Sequence, residues 1–534
     1  MGVWKSMKRY FRHHPFVLIL CIISILIFTL LSLTPPMIMR YFIDYALDKK
    51  DRDLILMLAL MYFGSYIVMN IFNFARYALL AVISQGISKQ IRLDMLQKVN
   101  RLDYVSFTRF DAGTLEAYFS NDVDSIDALI TSGVVSFVTD LFKIIGILIA
   151  VFSFSWLFGL IAIGAIPIIA LTIWILKNKI MRAQYKTRKL EGNVNNSILE
   201  NLENIHTIKS FRIYDNVSNR YSEVLKNHFI TAEKTNLYDA IFSPIIQMLK
   251  GICIAIVIIL ASYKLSLFGM TVGMVVAGVD YITDIFQPIE KLGDEIQTIQ
   301  KSLAGIKRIN EFFKLPEDDV RGLLIGESNN YVLEFKDVSY SYDKKVNVVE
   351  NFNLKLEASD HLTLEGRSGA GKSTLFKLAY GMIKPDKGSV TINGVPTYLL
   401  DDSVRQKLFG IVYQDYFFTN KTIYEEVTLE RKNISKERVF EVLNLCGLGR
   451  IKDIDKKLIT TDYSSGELSL FNIARAILLD GHILFLDEMN AKIDKITAKQ
   501  IIDVINNIGK DKMILSINHY GDLIENSKVL HVGK

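Results

Sequence analysis

Long uncharged runs alternate with basic, helix-periodic stretches through the N-terminal part of the chain, and short apolar strands alternate with helices after it. No charged residue falls between Phe16 and Met39, between Leu54 and Ala75, or between Ile144 and Leu176. A bilayer-crossing helix needs about 20 apolar residues, so the first two runs read as one span each. The third is too long for one crossing. It splits near Phe154-Ser155-Trp156 into a hairpin of spans three and four, with span three starting near Leu129. Ala240–Tyr263 and Leu265–Phe286 complete six expected spans.

The basic residues orient these spans, because Lys and Arg gather in cytoplasmic loops. Lys5, Lys8, Arg9 and Arg12 precede span one. Arg76, Lys89, Arg92, Lys98, Arg101 and Arg109 lie between spans two and three. Lys177, Lys179, Arg182, Lys186, Arg188 and Lys189 lie between spans four and five. The opposite turns are nearly uncharged. The exception is the first external loop, where Lys49, Lys50 and Arg52 sit among four aspartates. A cell-membrane protein with six spans and both termini cytoplasmic is expected. The amphipathic stretches Ile87–Leu102 and Val194–Lys209 predict spanning helices that continue beyond the bilayer as paired extensions.

From Leu315 to Asn330 the composition turns polar, with Pro316, Glu317, Asp318 and Asp319. This divides the chain into a membrane domain over 1–314, a linker over 315–330 and a β/α-alternating domain over 331–534. The fold class is therefore multidomain: a polytopic all-α membrane domain with long cytoplasmic extensions, plus an α/β domain. Half the residues are hydrophobic, 22% are charged and mean hydropathy is +0.24, a balance that excludes an ordinary soluble protein. The net charge of +5 forms no concentrated basic patch on the second domain, so no nucleic-acid partner is expected. Cys21, Cys253 and Cys446 make no disulfide framework.

Gly366-Arg367-Ser368-Gly369-Ala370-Gly371-Lys372-Ser373 has the phosphate-loop spacing and joins the strand His361–Glu365 to a helix opening at Thr374. Glycines in such a loop let backbone N–H groups approach phosphate oxygens, and the helix dipole adds to their field. Lys372 is expected on the β/γ-phosphates and Ser373 on Mg2+. A second strand, Ile483–Leu486, ends in Asp487-Glu488. Asp487 there would hold Mg2+ and Glu488 would polarise an attacking water.

With these motifs the chain resembles the ABC transporters, in their half-transporter arrangement of membrane domain followed by ATPase domain. The resemblance implies further roles. Tyr342 stacks on adenine, Gln414 senses Mg2+ and the membrane domain, His519 contacts the γ-phosphate, and Asp494 lies in the loop at the dimer interface. Tyr463-Ser464-Ser465-Gly466-Glu467 stands where the family signature opens a helix that completes the opposite subunit's ATP site. Ser464 and Gly466 fit that pattern; Ser465 adds a side chain where backbone approaches closely, and Leu468, Leu470 and Phe471 replace polar residues. A second half-transporter is implied, identical or different. The intact own site beside an altered donated signature points to a heterodimer. Phe107–Asp111 with Gly113 and Asn121–Val123 resembles the first intracellular loop, and Thr207–Phe211 the second. The family's usual C-terminal extension is expected to be missing.

Asp140, Lys143, Lys250, Asp280 and Asp284 fall at membrane depth. Such charges face a bundle interior or a water-filled cavity. They outline a polar cavity for an amphipathic or peptide cargo, or they pair structurally, Asp140 with Lys143 by spacing. The reading is ATP-driven export with ATP and Mg2+ as cofactors and the lipid bilayer as surroundings. The alternatives are an importer, a lipid flippase, or an ATP-binding channel or regulator that does not cycle.

Overall fold

A computed structural model describes residues 2–47, 50–154, 156–264, 271–319, 321–326, 328, 330–414, 416–431, 433–489, 493–518, 524 and 526–533. The chain divides into two compact units. One is Met1–Asn100 with Asp111–Leu315; the other is Arg101–Phe110 with Pro316–Lys534.

The first unit is helical. Its elements, with one short insertion into the second unit, are α1 (Val3–His13), α2 (Pro15–Leu31), α3 (Thr34–Tyr41), α4 (Arg52–Val99), α5 (Tyr104–Phe107), α6 (Ala112–Ala117), α7 (Val123–Ala128), α8 (Val135–Phe154), α9 (Trp156–Glu203), α10 (Ile205–Phe211), α11 (Tyr214–Lys264) and α12 (Val272–Phe313). Short π-helical stretches continue α3 and bridge α6 to α8. Among the described residues, six helices or runs of joined helices are long and apolar enough to cross a membrane. The sixth begins at Val272, where Thr271 caps it by accepting from the Met274 N–H at 3.2 Å. Its expected start at Leu265 lies outside the described residues.

Asp44, read from sequence as a loop residue, has a structural task. It accepts from the Thr271 hydroxyl and from the Gly273 N–H at 2.8 Å, tying the end of the first span to the start of the sixth. Beyond the spans the helices hold one another through buried charge. The Asp122 carboxylate takes two bonds from the Arg308 guanidinium, and the buried Asp94 accepts from Ser6, Arg9 and Gln90. A buried carboxylate persists only when partners replace its water, and these sites meet that condition.

The second unit contains two sheets, built from β1 (Leu333–Tyr340), β2 (Val349–Leu356), β3 (His361–Glu365), β4 (Lys387–Ile392), β5 (Val395–Pro396), β6 (Phe409–Val412), β7 (Ile483–Asp487), β8 (Met513–Ile517) and β9 (Lys528–His531). The antiparallel sheet runs β2-β1-β4-β5 and the parallel sheet β6-β7-β8-β3-β9. Helices α13 (Lys372–Ala379), α14 (Asp402–Leu408), α15 (Ile423–Thr428), α16 (Lys436–Leu445), α17 (Ser465–Leu478) and α18 (Lys495–Ile508) complete it. The interior strand β7 is buried from Ile483 to Leu486, as a parallel strand covered on both faces must be. Phe485 on β7 is ringed by Phe376, Tyr380 and Phe409 at centroid distances of 5.5–5.6 Å. A second apolar cluster joins α15, α16 and α17 around Phe471.

Candidate functional site

In an open parallel sheet, ligands bind outside the carboxyl ends of the strands. The candidate residues gather there. The glycine-rich loop leaves the end of β3, Asp487 closes β7, Gln414 follows β6 by two residues, and Asn518 follows β8. His519 comes next in the chain and lies outside the described residues.

Gly371 adopts φ +93°, and a Cβ there would meet the Val348 carbonyl at 2.9 Å. Only glycine fits this turn into α13. Lys372 opens that helix, buried, and its ammonium donates to the loop carbonyls of Gly366 at 2.7 Å and Arg367 at 3.1 Å. The lysine is thereby held over its own loop. Ser373 is exposed beside it, and Thr374 Oγ1 lies 3.3 Å from the Tyr342 hydroxyl.

Glu488 sits at φ +47°, an αL conformation, with its N–H donated to the Ile517 carbonyl at 3.1 Å. That geometry turns its side chain toward β6, where Gln414 Nε2 donates to Glu488 Oε2 at 2.8 Å. A cavity of about 40 Å³ lined by Gln414, Tyr416, Asn472 and Glu488 adjoins the pair. It is large enough for one water. Asn472 was not singled out by sequence. It is buried and donates to the Tyr413 carbonyl at 2.9 Å, fixing the loop that carries Gln414.

The signature stretch opens α17. Ser464 is the N-cap, and it exchanges bonds with Glu467 in a capping box: Ser464 N–H to Glu467 Oε2 at 2.9 Å, and Glu467 N–H to Ser464 Oγ at 3.2 Å. The backbone bond from Ser464, its hydroxyl and the nearby Arg450 hold the Glu467 carboxyl below its usual range. Leu470 and Phe471 are core residues, which explains apolar side chains where polar ones were expected. Asp494 caps α18, accepting from the N–H groups of Ile496 and Thr497 at 3.1 Å each. A buried pair unforeseen from sequence joins α17 to α15: Arg475 donates to the Glu426 carbonyl at 3.0 Å and to its carboxylate at 3.3 Å.

In the membrane unit no ion pair within 4.0 Å joins Asp140 to Lys143 among the described residues. Lys143 Nζ instead lies 3.4 Å from Asp284 Oδ2, across from α8 to α12. Glu295, buried on α12, was missed in the sequence because it lies beyond the expected end of span six. Asp280 is exposed and Lys250 half-buried, with no ion pair found for either among the described residues. A separate cavity of about 560 Å³ lies between α9, α11 and α12. Trp174, Phe242 and Ile289 form apolar wall, and Gln184, Gln297 and Gln300 supply amides. Lys177 and Asp294 pair there at 2.7 Å.

Known proteins agree with this architecture. The family model described as the ABC transporter transmembrane region matches residues 18–289, half of the chain, and the one described as ABC transporter matches 349–491. The chain belongs to the ABC transporters. An uncharacterised ABC transporter ATP-binding protein of Bacillus subtilis, YknV, is 25% identical over 97% of this chain and 87% of its own length. An ATP-dependent lipid A-core flippase of Desulfotalea psychrophila is 23% identical, over 92% and 88% respectively. The lactococcin-A transport/processing protein LcnC of Lactococcus lactis is 25% identical, over 85% and 64%. The chain is thus an exporter-type ABC half-transporter, a multi-pass membrane protein that binds ATP and couples its hydrolysis to transport.

Proposed function

We propose that this half-transporter exports an amphipathic, peptide-like cargo as one half of a heterodimer, with both termini cytoplasmic and Mg2+ accompanying ATP. The observation that carries the cargo class is the cavity between α9, α11 and α12. Its aromatic wall suits an apolar side chain. Its amides offer donors and acceptors together, the complement of a peptide group. The names of two relatives give lactococcin A and lipid A-core as what they move. The three glutamines favour the peptide over the lipid here.

Mg2+ suits the residues at hand. It is held by one or two carboxylates plus substrate phosphates, seldom by an all-protein cage. Among the described residues no group of three or more His, Cys, Asp or Glu offers such a cage. Ser373, Asp487 and Gln414 would hold the ion against the phosphates, and the ion would neutralise their developing charge. Lys372 would bind the β/γ-phosphates, Tyr342 the base, and Glu488 would orient the attacking water. His519 would contact the γ-phosphate, on resemblance alone.

The partner is inferred from two features. Ser464 and Ser465, at the start of α17, are exposed, so they are available to a second ATP. Phe211, at the end of α10, is 75% exposed, as a side chain awaiting a second half would be. Asp494 would lie at the same interface. The altered signature against the intact own site favours a different chain as partner.

The cargo reading is tested by cargo-stimulated ATPase in nanodiscs, with an amphipathic cationic peptide and a short-chain lipid as alternative probes. The peptide is expected to stimulate and the lipid not, and Trp174→Ala with Gln297→Ala is expected to remove the stimulation while basal turnover persists. Stimulation by the lipid alone would replace the peptide reading. Lys250→Leu and Asp280→Leu examine the membrane-depth charges; unchanged stimulation in both removes those two from the cargo path.

A further inference from the structure

The segment Arg101–Phe110 follows α4 directly in the chain, yet it belongs to the compact unit that holds the ATPase sheets. It is stitched to the linker. The Asp103 N–H donates to the Pro316 carbonyl at 3.4 Å and the Asp318 N–H to the Arg101 carbonyl at 2.9 Å, with Leu102 and Glu317 forming an antiparallel bridge. Asp103 caps α5 by accepting from the Ser106 N–H at 3.0 Å, which directs Tyr104 against the apolar core beneath β1 and α13.

Tyr104 arrives at a side chain the nucleotide reading leaves unused. Lys377 stands on α13, five residues after Lys372. Its ammonium lies 4.9 Å from the Tyr104 ring centroid and 5.9 Å from that of Tyr342. Tyr342 is also held edge-on by Tyr340 at 5.0 Å. Tyr104, Arg109 and Tyr342 share one cavity of about 570 Å³. A cation between two aromatic faces is attracted to both, and changing the environment of one face changes the hold on the other. Burial alone would lower the Lys377 pKa, but contacts with Tyr104 and Tyr342 outweigh it and the net direction is upward, so the side chain stays charged.

We propose that Lys377, clasped between Tyr104 and Tyr342, is a positioning residue that links occupancy of the nucleotide-base site to the segment Arg101–Phe110. The proposal rests on Tyr342 being the surface on which an aromatic base stacks. A base laid on that ring displaces solvent from the ring and from Lys377 together. The cation then holds Tyr104 more firmly, and the segment that continues α4 is fixed when nucleotide is present and loosened when it leaves.

The test is hydrogen exchange on the full chain in nanodiscs, carrying Glu488→Gln so that magnesium ATP is retained. ATP is expected to slow exchange across Arg101–Phe110 by about tenfold, the size a desolvated cation–π contact supports. Lys377→Met and Tyr104→Ala are expected to remove most of that slowing. Lys377→Arg and Tyr104→Phe, which keep cation and ring, are expected to retain it. ATP affinity is measured in parallel and is expected to fall by no more than about tenfold in Lys377→Met, the size of the coupling removed, since the phosphate contacts are intact. Exchange in β7 and β8 must match the parent, which separates a relay from misfolding. Undiminished slowing in a folded Lys377→Met chain overturns the relay while leaving the base site standing. Unchanged ATP affinity in Tyr342→Ala overturns the base site itself, and the relay with it.

Discussion

Glu488→Gln lowers ATP turnover by roughly 10²–10⁴-fold, the range set by loss of a positioned general base. ATP affinity stays within about threefold, because no phosphate contact is removed. The substitution is nearly isosteric, and the new side-chain oxygen can still accept from Gln414 Nε2, which now bonds Glu488 Oε2 at 2.8 Å. The αL backbone at position 488 needs nothing from the carboxylate charge. The expected state is therefore a folded, ATP-loaded transporter that does not cycle. Steady-state phosphate release, with trapped nucleotide counted after gel filtration, checks both halves of the statement. Turnover within about twofold of the parent would mean that another group activates the water.

Phe471→Ala has the largest expected effect on stability, a loss of about 3–5 kcal/mol. Phe471 is fully buried on α17, with the ring of Tyr463 at 5.2 Å and that of Phe418 at 6.3 Å. Emptying that space leaves a cavity under the helix that also carries Asn472 and Arg475. A domain's whole stability is typically about 5–15 kcal/mol, so the variant is close to the threshold for folding. Thermal unfolding of the purified transporter reads the loss directly. Phe471→Leu, which refills most of the volume, is expected to cost less than about 1.5 kcal/mol. Equal melting of parent and Phe471→Ala would show that the signature helix is not anchored there.

The six-helix reading was legible because bilayer thickness imposes a run length that sequence displays directly. The strands flanking the nucleotide motifs were legible for a similar reason: His361–Glu365 and Ile483–Leu486 are apolar runs bounded by chemistry that only a strand-to-loop junction uses. The pairing of membrane charges was not legible. Spacing within α8 suggested Asp140 with Lys143, but the nearer carboxylate came from another helix, and helix–helix geometry is absent from a linear pattern. The same limit hid Asp44, Tyr104 and Lys377, each of which acquires its partner from a segment far away in sequence. The apolar character of Leu470 and Phe471 read as a departure from a motif; it is the ordinary demand of a buried helix face. The second compact unit takes up the chain again at Pro316, where the composition turns polar, and it also holds Arg101–Phe110, whose sequence carries no compositional break.

The central claim is that the signature of one half completes the ATP site of another. The most direct measurement is a nucleotide-dependent disulfide between halves in vesicles. Arg367→Cys on the glycine-rich loop of this chain is paired with a cysteine at the signature serine of the second half, and Ser465→Cys of this chain with one on the second half's glycine-rich loop. Glu488→Gln retains ATP. Cys446 does not interfere, since burial removes it from solvent and pushes its thiol up to about 12. Magnesium ATP is predicted to produce the chain-to-chain bond and its removal to abolish it. A bond that forms equally with and without nucleotide, or not at all with ATP retained, would contradict the claim.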